Sequence, residues 1–317
     1  MAVRVTVVGS INIDLVTQVA RFPEPGETLL GGDLKTIPGG KGANQAVAAA
    51  RLGAEVAMVG RLGDDVFATR LRKNLVEDGV DVTFVSESAE TASGAAMIVV
   101  DNDGQNSIVV ASGANAKVTA QDVNRAAEAI TMADVLLLQL EIPLEAVRRA
   151  AEIAHENEVK VVLNPAPAQR LPADILSLVD ILIPNESELS ALSGLRTTNL
   201  KEMKIAASKL SSSGVETVIL TAGENGALLA RTAVDRHFPA FSLKKVVDTT
   251  AAGDAFVGGV ATAVAEGKSL SDAVSWGNAA GALAITRAGA QPSLPTRTEV
   301  ETLLNGATIE QRQGVDI

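Results

Sequence analysis

Two hydrophobic periods alternate along this chain. Residues 3–8 read Val-Arg-Val-Thr-Val-Val and stop at Gly9, and a β-branched run of that length predicts a strand. Short apolar runs recur at 56–60, 135–138, 159–163, 180–183 and 215–221, with amphipathic segments at 67–75, 144–154, 186–192 and 201–210 between them. Strand and helix in alternation predict a parallel sheet covered by helices. An Ala-rich helix is expected at 45–52, and longer Ala/Gly-rich helices at 252–265 and 270–285. No linker or low-complexity stretch interrupts this order, so residues 1–317 are expected to form a single α/β domain.

Two stretches break the pattern. Residues 21–38 carry Pro23, Pro25, Gly26, Gly31, Gly32 and Pro38, too many breakers for a helix, although 28–30 and 34–37 suit short strands. Residues 95–100 and 107–111 flank Asp101-Asn102-Asp103-Gly104, a turn between two strands. Together they predict a small β layer, discontinuous in sequence at about 15–38 and 94–112, placed as a lid over a pocket.

Composition narrows the function. With 27 basic and 38 acidic residues and a net charge of -11, the chain is not built to neutralise nucleic-acid phosphates. The absence of Cys removes disulfides, thiolate metal sites and cysteine nucleophiles, and fits a reducing compartment. Two His do not make a histidine-rich metal centre. The apolar runs fall far short of the roughly 20 residues of a membrane span, and residues 3–8 have the pattern of a strand rather than of a signal segment. A cytoplasmic protein, with no membrane or nucleic-acid partner, is expected.

Four polar segments interrupt the apolar frame. Asp248-Thr249-Thr250-Ala251-Ala252-Gly253-Asp254 precedes a helix, and its small residues leave backbone N–H groups open at a helix N-terminus, where an anion is favoured. Asp254 would then stand beside an anion site, or would simply cap the helix. Gly39-Gly40-Lys41-Gly42-Ala43-Asn44 lets backbone approach a ligand and can turn the Asn44 amide toward a hydroxyl, unless the loop is purely structural. It is not a P-loop, because Gly42 rather than Ser or Thr follows Lys41. Asn12 and Asp14 follow the first strand, at the edge where open α/β sheets bind ligands, either as partners for vicinal hydroxyls or as an Asx turn. Glu141 has the same placement after residues 135–138. Asn185 and Glu188 read either as a capping box or as a carboxylate site that organises water around Mg²⁺.

Taken in order, these segments resemble the ribokinase family of carbohydrate kinases over nearly the whole chain. The specific matches are GGKGAN at residues 39–44 and DTTAAGD at 248–254, supported by SINID at 10–14, QLEIP at 139–143, NPAPA at 164–168 and PNESE at 184–188. The resemblance implies a Rossmann-like αβα sandwich with a small β-sheet lid, through which two subunits clasp as a homodimer. It implies phosphoryl transfer from ATP to the primary hydroxyl of a pentose, ribose first among the candidates, with Mg²⁺ and an activating K⁺. By that likeness Asn12, Asp14, Gly40, Lys41, Asn44 and Glu141 hold the sugar. Asp254 takes the proton of the attacking hydroxyl, and the amides of Ala251, Ala252, Gly253 and Asp254 stabilise the transferring phosphoryl group. Asn185 and Glu188 serve the phosphates and hydrated Mg²⁺, while Thr221, Gly223, Gly226 and Asn278 line the nucleotide site. Asp248, Thr250, Ala284, Arg287, Gly289 and Ser293 correspond to the family's monovalent-cation site. Ala255 and Val257 depart from the Thr and Asn common there, which bears on the identity of the sugar. Deoxyribose, fructose and 2-keto-3-deoxygluconate are alternative acceptors. A nucleoside fits less well, since the chain has no Tyr and a single Trp, Trp276. A sugar sensor without catalysis would be expected to have lost Asp254 or Gly253, and no G-x-G-x-x-G motif follows a strand to support a dinucleotide enzyme.

Overall fold

The computed structural model of the chain describes residues 2–316, apart from 213, 232, 233 and 244. A ten-stranded sheet runs in the order Val315–Asp316, Val234–Phe238, Ala227–Arg231, Thr217–Thr221, Ile181–Leu182, Lys160–Leu163, Val135–Leu138, Arg4–Val8, Glu55–Leu62 and Val80–Glu87. From Thr217–Thr221 to Val80–Glu87 the strands pair in parallel. The remaining three are antiparallel, so the sheet is mixed where sequence predicts a parallel one. Gly223-Glu-Asn-Gly226 makes the difference. Both glycines take positive φ, which reverses the chain within a few residues and leaves no room for a crossover helix.

The strands are apolar on both faces because both are covered. Val5, Val7 and Leu137 pack against the helices Lys41–Arg51, Ala252–Ala265 and Leu270–Ala284. Val8, Leu136 and Leu138 face the opposite core, with Leu144–Glu156 and Leu200–Ser211. No helix among the described residues is long and apolar enough to cross a membrane.

A separate four-stranded sheet has the order Lys35–Gly39, Asn12–Gln18, Gly94–Val100, Asn106–Ala111. Residues 28–30, expected as a short strand, form none. Leu30 is 97% exposed, so this β-prone triplet has no sheet neighbour to satisfy it. Instead Asn12–Gln18 supplies a seven-residue strand, replacing the Asx turn that Asn12 and Asp14 also allowed. The outer strand, Asn106–Ala111, is exposed along its length, Ile108, Val109 and Val110 included.

Register sets up the site. Val8 lies beside Leu138, Leu138 beside Leu163, and Leu163 beside Leu182. Four parallel strands therefore end level, and Gly9, Gln139, Asn164 and Ile183 are the next residues along adjacent strands. Ligands of open α/β sheets bind at such carboxyl ends.

Candidate active site

Two helices bring the central acid to its neighbours. The Lys41–Arg51 and Ala252–Ala265 helices cross closely because a Cβ at Gly258 would stand 2.5 Å from the Ala48 Cβ. This approach carries the opening turn of one helix to that of the other. Asp254, 6% exposed, accepts from Asn44 Nδ2 at 2.8 Å through Oδ2, and from Gln45 Nε2 at 2.9 Å through Oδ1. A turn precedes it in which Ala251 adopts φ 52°. The turn is held by Asp248, whose Oδ1 accepts from the Thr250 N–H and hydroxyl and whose Oδ2 accepts from the Gly289 N–H. Burial alone would raise the Asp248 carboxyl, but these donors outweigh it and hold the group below its ordinary value.

Space is open at Gly253. A Cβ there would meet nothing within 4 Å, so packing does not require glycine. The space over the first-turn amides, which lack intrahelical acceptors, is open, and the helix dipole favours an anion in it.

The opposite wall comes from the glycine loop. A Cβ at Gly40 would stand 2.6 Å from the Asn12 nitrogen, and one at Gly42 2.6 Å from the Ser10 nitrogen; only bare backbone fits against the turn after the first strand. Glu141 binds this junction, accepting from the Ser10 hydroxyl and from the Lys41 N–H. The Asn12 side-chain oxygen accepts from Asn115 Nδ2 at 2.6 Å. Asp14 is buried at 7% exposure, and a Cβ at Gly39 would come within 2.4 Å of its carboxylate. No donor among the described residues bonds to that carboxylate. Burial, then Glu141 and Asp254, push its pKa up to about 7. Burial would lower the Lys41 ammonium, but Asp254, Glu141 and Glu188 together hold it above its ordinary value.

Asn185 and Glu188 form a full capping box. The Glu188 N–H donates to Asn185 Oδ1, the Asn185 N–H donates to Glu188 Oε2, and Asn185 Nδ2 donates to Glu188 Oε1. The structural reading of this pair is thus realised, on a buried carboxylate that lies in the field of Lys41 and Asp254. Burial raises its pKa, Asp254 adds to the rise, and the Asn185 N–H and Lys41 oppose it. Thr221 bridges to Asn185 in parallel. At Gly226 a Cβ would stand 2.0 Å from the Phe238 carbonyl oxygen, the same carbonyl that Asn278 Nδ2 reaches at 3.3 Å. Gly223 opens the same turn. Of the cation set, Asp248, Thr250 and Gly289 are bonded together. Ala284 accepts through its carbonyl from the Arg287 N–H, the Arg287 guanidinium pairs with Glu299, and the Ser293 hydroxyl donates to the Ala290 carbonyl.

The residues that sequence reasoning assigned no role are the amides around the acid, Gln45, Gln139 and Asn164, together with Ser10 and Asn115. One signal was available: Gln45 is a polar residue in an Ala-rich helix, at a position 0% exposed.

A family model described as pfkB family carbohydrate kinase matches residues 3–297. The chain belongs to the pfkB family of carbohydrate kinases. Among relatives of this kinase is the ribokinase of Haemophilus influenzae, 45% identical over 302 residues that cover 95% of this chain and 98% of the relative. The deoxyribokinase of Salmonella typhi is 38% identical over 293 residues, 92% of this chain and 95% of that one. Among solved structures, Arabidopsis thaliana ribokinase complexed with ribose and ATP superposes with a TM-score of 0.88 at 34% identity, covering 96% of this chain and 99% of that one.

Proposed function

We propose that this kinase transfers the γ-phosphoryl group of ATP to the O5 hydroxyl of D-ribose, giving D-ribose 5-phosphate and ADP. The observation that carries the reading is the pairing of Asp254 with the open amides at Gly253. An acid beside an anion site is unfavourable unless a hydroxyl must lose its proton there. Phosphoryl transfer requires alignment and charge stabilisation. Asp254 accepts the hydroxyl proton, while the amides of residues 251–254 receive the charge that builds on the phosphoryl oxygens. The similarity to the Haemophilus and Arabidopsis ribokinases supports ribose as the acceptor. Asp14, Asn12, Lys41, Asn44 and Glu141, with the Gly40 backbone, surround the sugar under the second sheet, which serves as its lid. Thr221, Gly223, Gly226 and Asn278 line the nucleotide side.

No group of three or more His, Asp or Glu that could cage a metal occurs among the described residues. Mg²⁺ keeps several waters and binds chiefly through substrate phosphates, so it calls for few protein ligands. Glu188 and Asn185 would hold those waters, and the ion would neutralise phosphate charge. The Asp248 carboxylate with the carbonyls of Thr250, Ala284, Arg287 and Gly289 and the Ser293 hydroxyl is a hard-oxygen set suited to K⁺. The ion would stiffen the turn that aims the amides without entering the reaction. Activity is therefore expected to rise when K⁺ replaces a bulky organic cation at matched ionic strength; equal rates would remove this site. The exposed outer strand of the lid supports a homodimer clasped through it, in a protein of the cytoplasm.

The second reading is a deoxyribose kinase, favoured by the Salmonella relative. Ala255 and Val257, the two departures from the family pattern, are 0% and 1% exposed in the core, which argues against their reading the sugar directly. Phosphorylation of ribose, deoxyribose, fructose and adenosine by the purified protein, compared as kcat/KM, decides between them. Ribose is expected to lead, and a clear preference for another acceptor would replace the ribose reading.

A further inference from the structure

Asp254 is the end of a chain of buried amides. Gln45 Nε2 donates both to Asp254 Oδ1 and, at 3.1 Å, to Asn164 Oδ1. Gln45 Oε1 accepts from Gln139 Nε2 at 2.6 Å, and Asn164 Nδ2 donates to the Ile183 carbonyl at 2.8 Å. Gln45 and Gln139 are both 0% exposed. They come from the N-terminal half of the Lys41–Arg51 helix and from just beyond the Val135–Leu138 strand, and Asn164 from just beyond the neighbouring Lys160–Leu163 strand.

The chemistry of the carboxylate fixes the orientation of every member. An ionised carboxylate only accepts, so Gln45 must turn its NH₂ toward Asp254 and its carbonyl away. That carbonyl in turn requires the NH₂ of Gln139, which leaves Gln139 Oε1 buried without a partner among the described residues. Gly9 is bare at this point: a Cβ there would stand 2.0 Å from Gln139 Oε1. A buried acceptor left unpaired is a standing cost to the fold. Apolar residues of the same shape would avoid it, so packing does not account for the chain of amides.

We infer that Gln45 and Gln139 are positioning residues for the catalytic base. Resting on the kinase reading above, the inference is that this relay locks the Asp254 carboxylate plane. One oxygen is tied to Gln45 and the other to Asn44, and a lone pair is left for the acceptor hydroxyl. Both glutamines are fully buried, so they act through Asp254 rather than on the substrates. The relay also joins the base to Ile183, two residues before Asn185, so that both sides of the transfer share one frame.

The test is single-turnover phosphoryl transfer by the full chain with ribose and ATP saturating, set beside the steady-state KM for each substrate. Gln45→Met keeps length and loses both hydrogen bonds. Its transfer rate should fall about tenfold to hundredfold, as small misplacements of a reacting group do, with the KM values for ribose and ATP unchanged. Gln139→Met, one step removed, should show a smaller loss of rate, again with both KM values unchanged. A parental rate in Gln45→Met would overturn the relay, and so would a rate loss matched by raised KM values, because that is the mark of a disturbed site rather than of a misaimed base. Should Gln45→Met fail to fold, Gln139→Met decides by the same two readouts. If the parent protein phosphorylates no sugar, the kinase reading itself has failed, and that outcome is visible before any variant is made.

Discussion

Asp254→Asn should fold, bind ribose and ATP, and lose kcat by about 10²–10⁴-fold, the range of a general base, or roughly 3–5 kcal/mol in the barrier. The substitution conserves volume. It places an NH₂ among amide donors, yet Asn44 Oδ1 is buried without a partner, so rotating that one side chain gives the new NH₂ an acceptor. Proton acceptance is what disappears. The nucleotide contacts and most of the sugar contacts are supplied by other residues, so both KM values should stay close to the parent. Steady-state kinetics with each substrate varied in turn will measure this. A variant within about threefold of the parent kcat, well below the general-base range, would remove Asp254 from the mechanism.

Asp14→Ala should act on the sugar instead. A charge-assisted hydrogen bond is worth about 1.5–3 kcal/mol, so the ribose KM should rise by roughly one to two orders of magnitude while that for ATP changes little. An unaltered ribose KM would exclude Asp14 from the sugar site. The pH dependence separates contact from simple loss of packing. Asp14 titrates at about 7 in the sugar-free protein, pushed up by burial and then by Glu141 and Asp254. Hydroxyls that donate to it favour its ionised form, so ribose affinity should fall as pH drops below about 7 and should become flat with pH in Asp14→Ala. Stability runs the other way. A carboxyl raised from 3.8 to about 7 on folding favours the fold fully below the lower value, and that contribution is lost as pH rises through the upper one. The sugar-free Asp14→Ala protein should therefore melt higher than the parent above neutrality, the pattern of a residue kept for binding at the expense of stability.

The central strands were legible because both of their faces are buried and their composition leaves no alternative. Arg4–Val8, Val135–Leu138 and Lys160–Leu163 lie within about a residue of the expected positions. The antiparallel edge was not legible. Ala227–Arg231 and Val234–Phe238 carry no helix-spaced segment between them, and only the turn glycines mark the reversal. The second sheet was half legible. Its turn at residues 101–104 was plain, but Asn12–Gln18 looked like a loop beyond the first strand, because Asn and Asp are rare in strands unless a site requires them there. Spacing in the sequence brought out Asp254, Asn44 and Asp14 as candidates. It could not reveal Gln45 and Gln139, whose contacts span 209 and 94 positions and exist only once the helix and the strand ends have been brought together.

The pairing of Gly39 with Asp14 bears on how acceptor choice in this fold can be altered. The carboxylate occupies the volume that a side chain at residue 39 would need, so the two positions behave as one interlocking unit across neighbouring strands. Enlarging residue 39 alone drives a methyl group into an acid, while shrinking residue 14 alone leaves a void lined by polar groups. A smoother wall, suited to an acceptor with one hydroxyl fewer, needs both changes together. Library searches that vary a single position at a time will therefore pass over this route, and a combined library at residues 14 and 39 is where altered acceptor preference should first emerge.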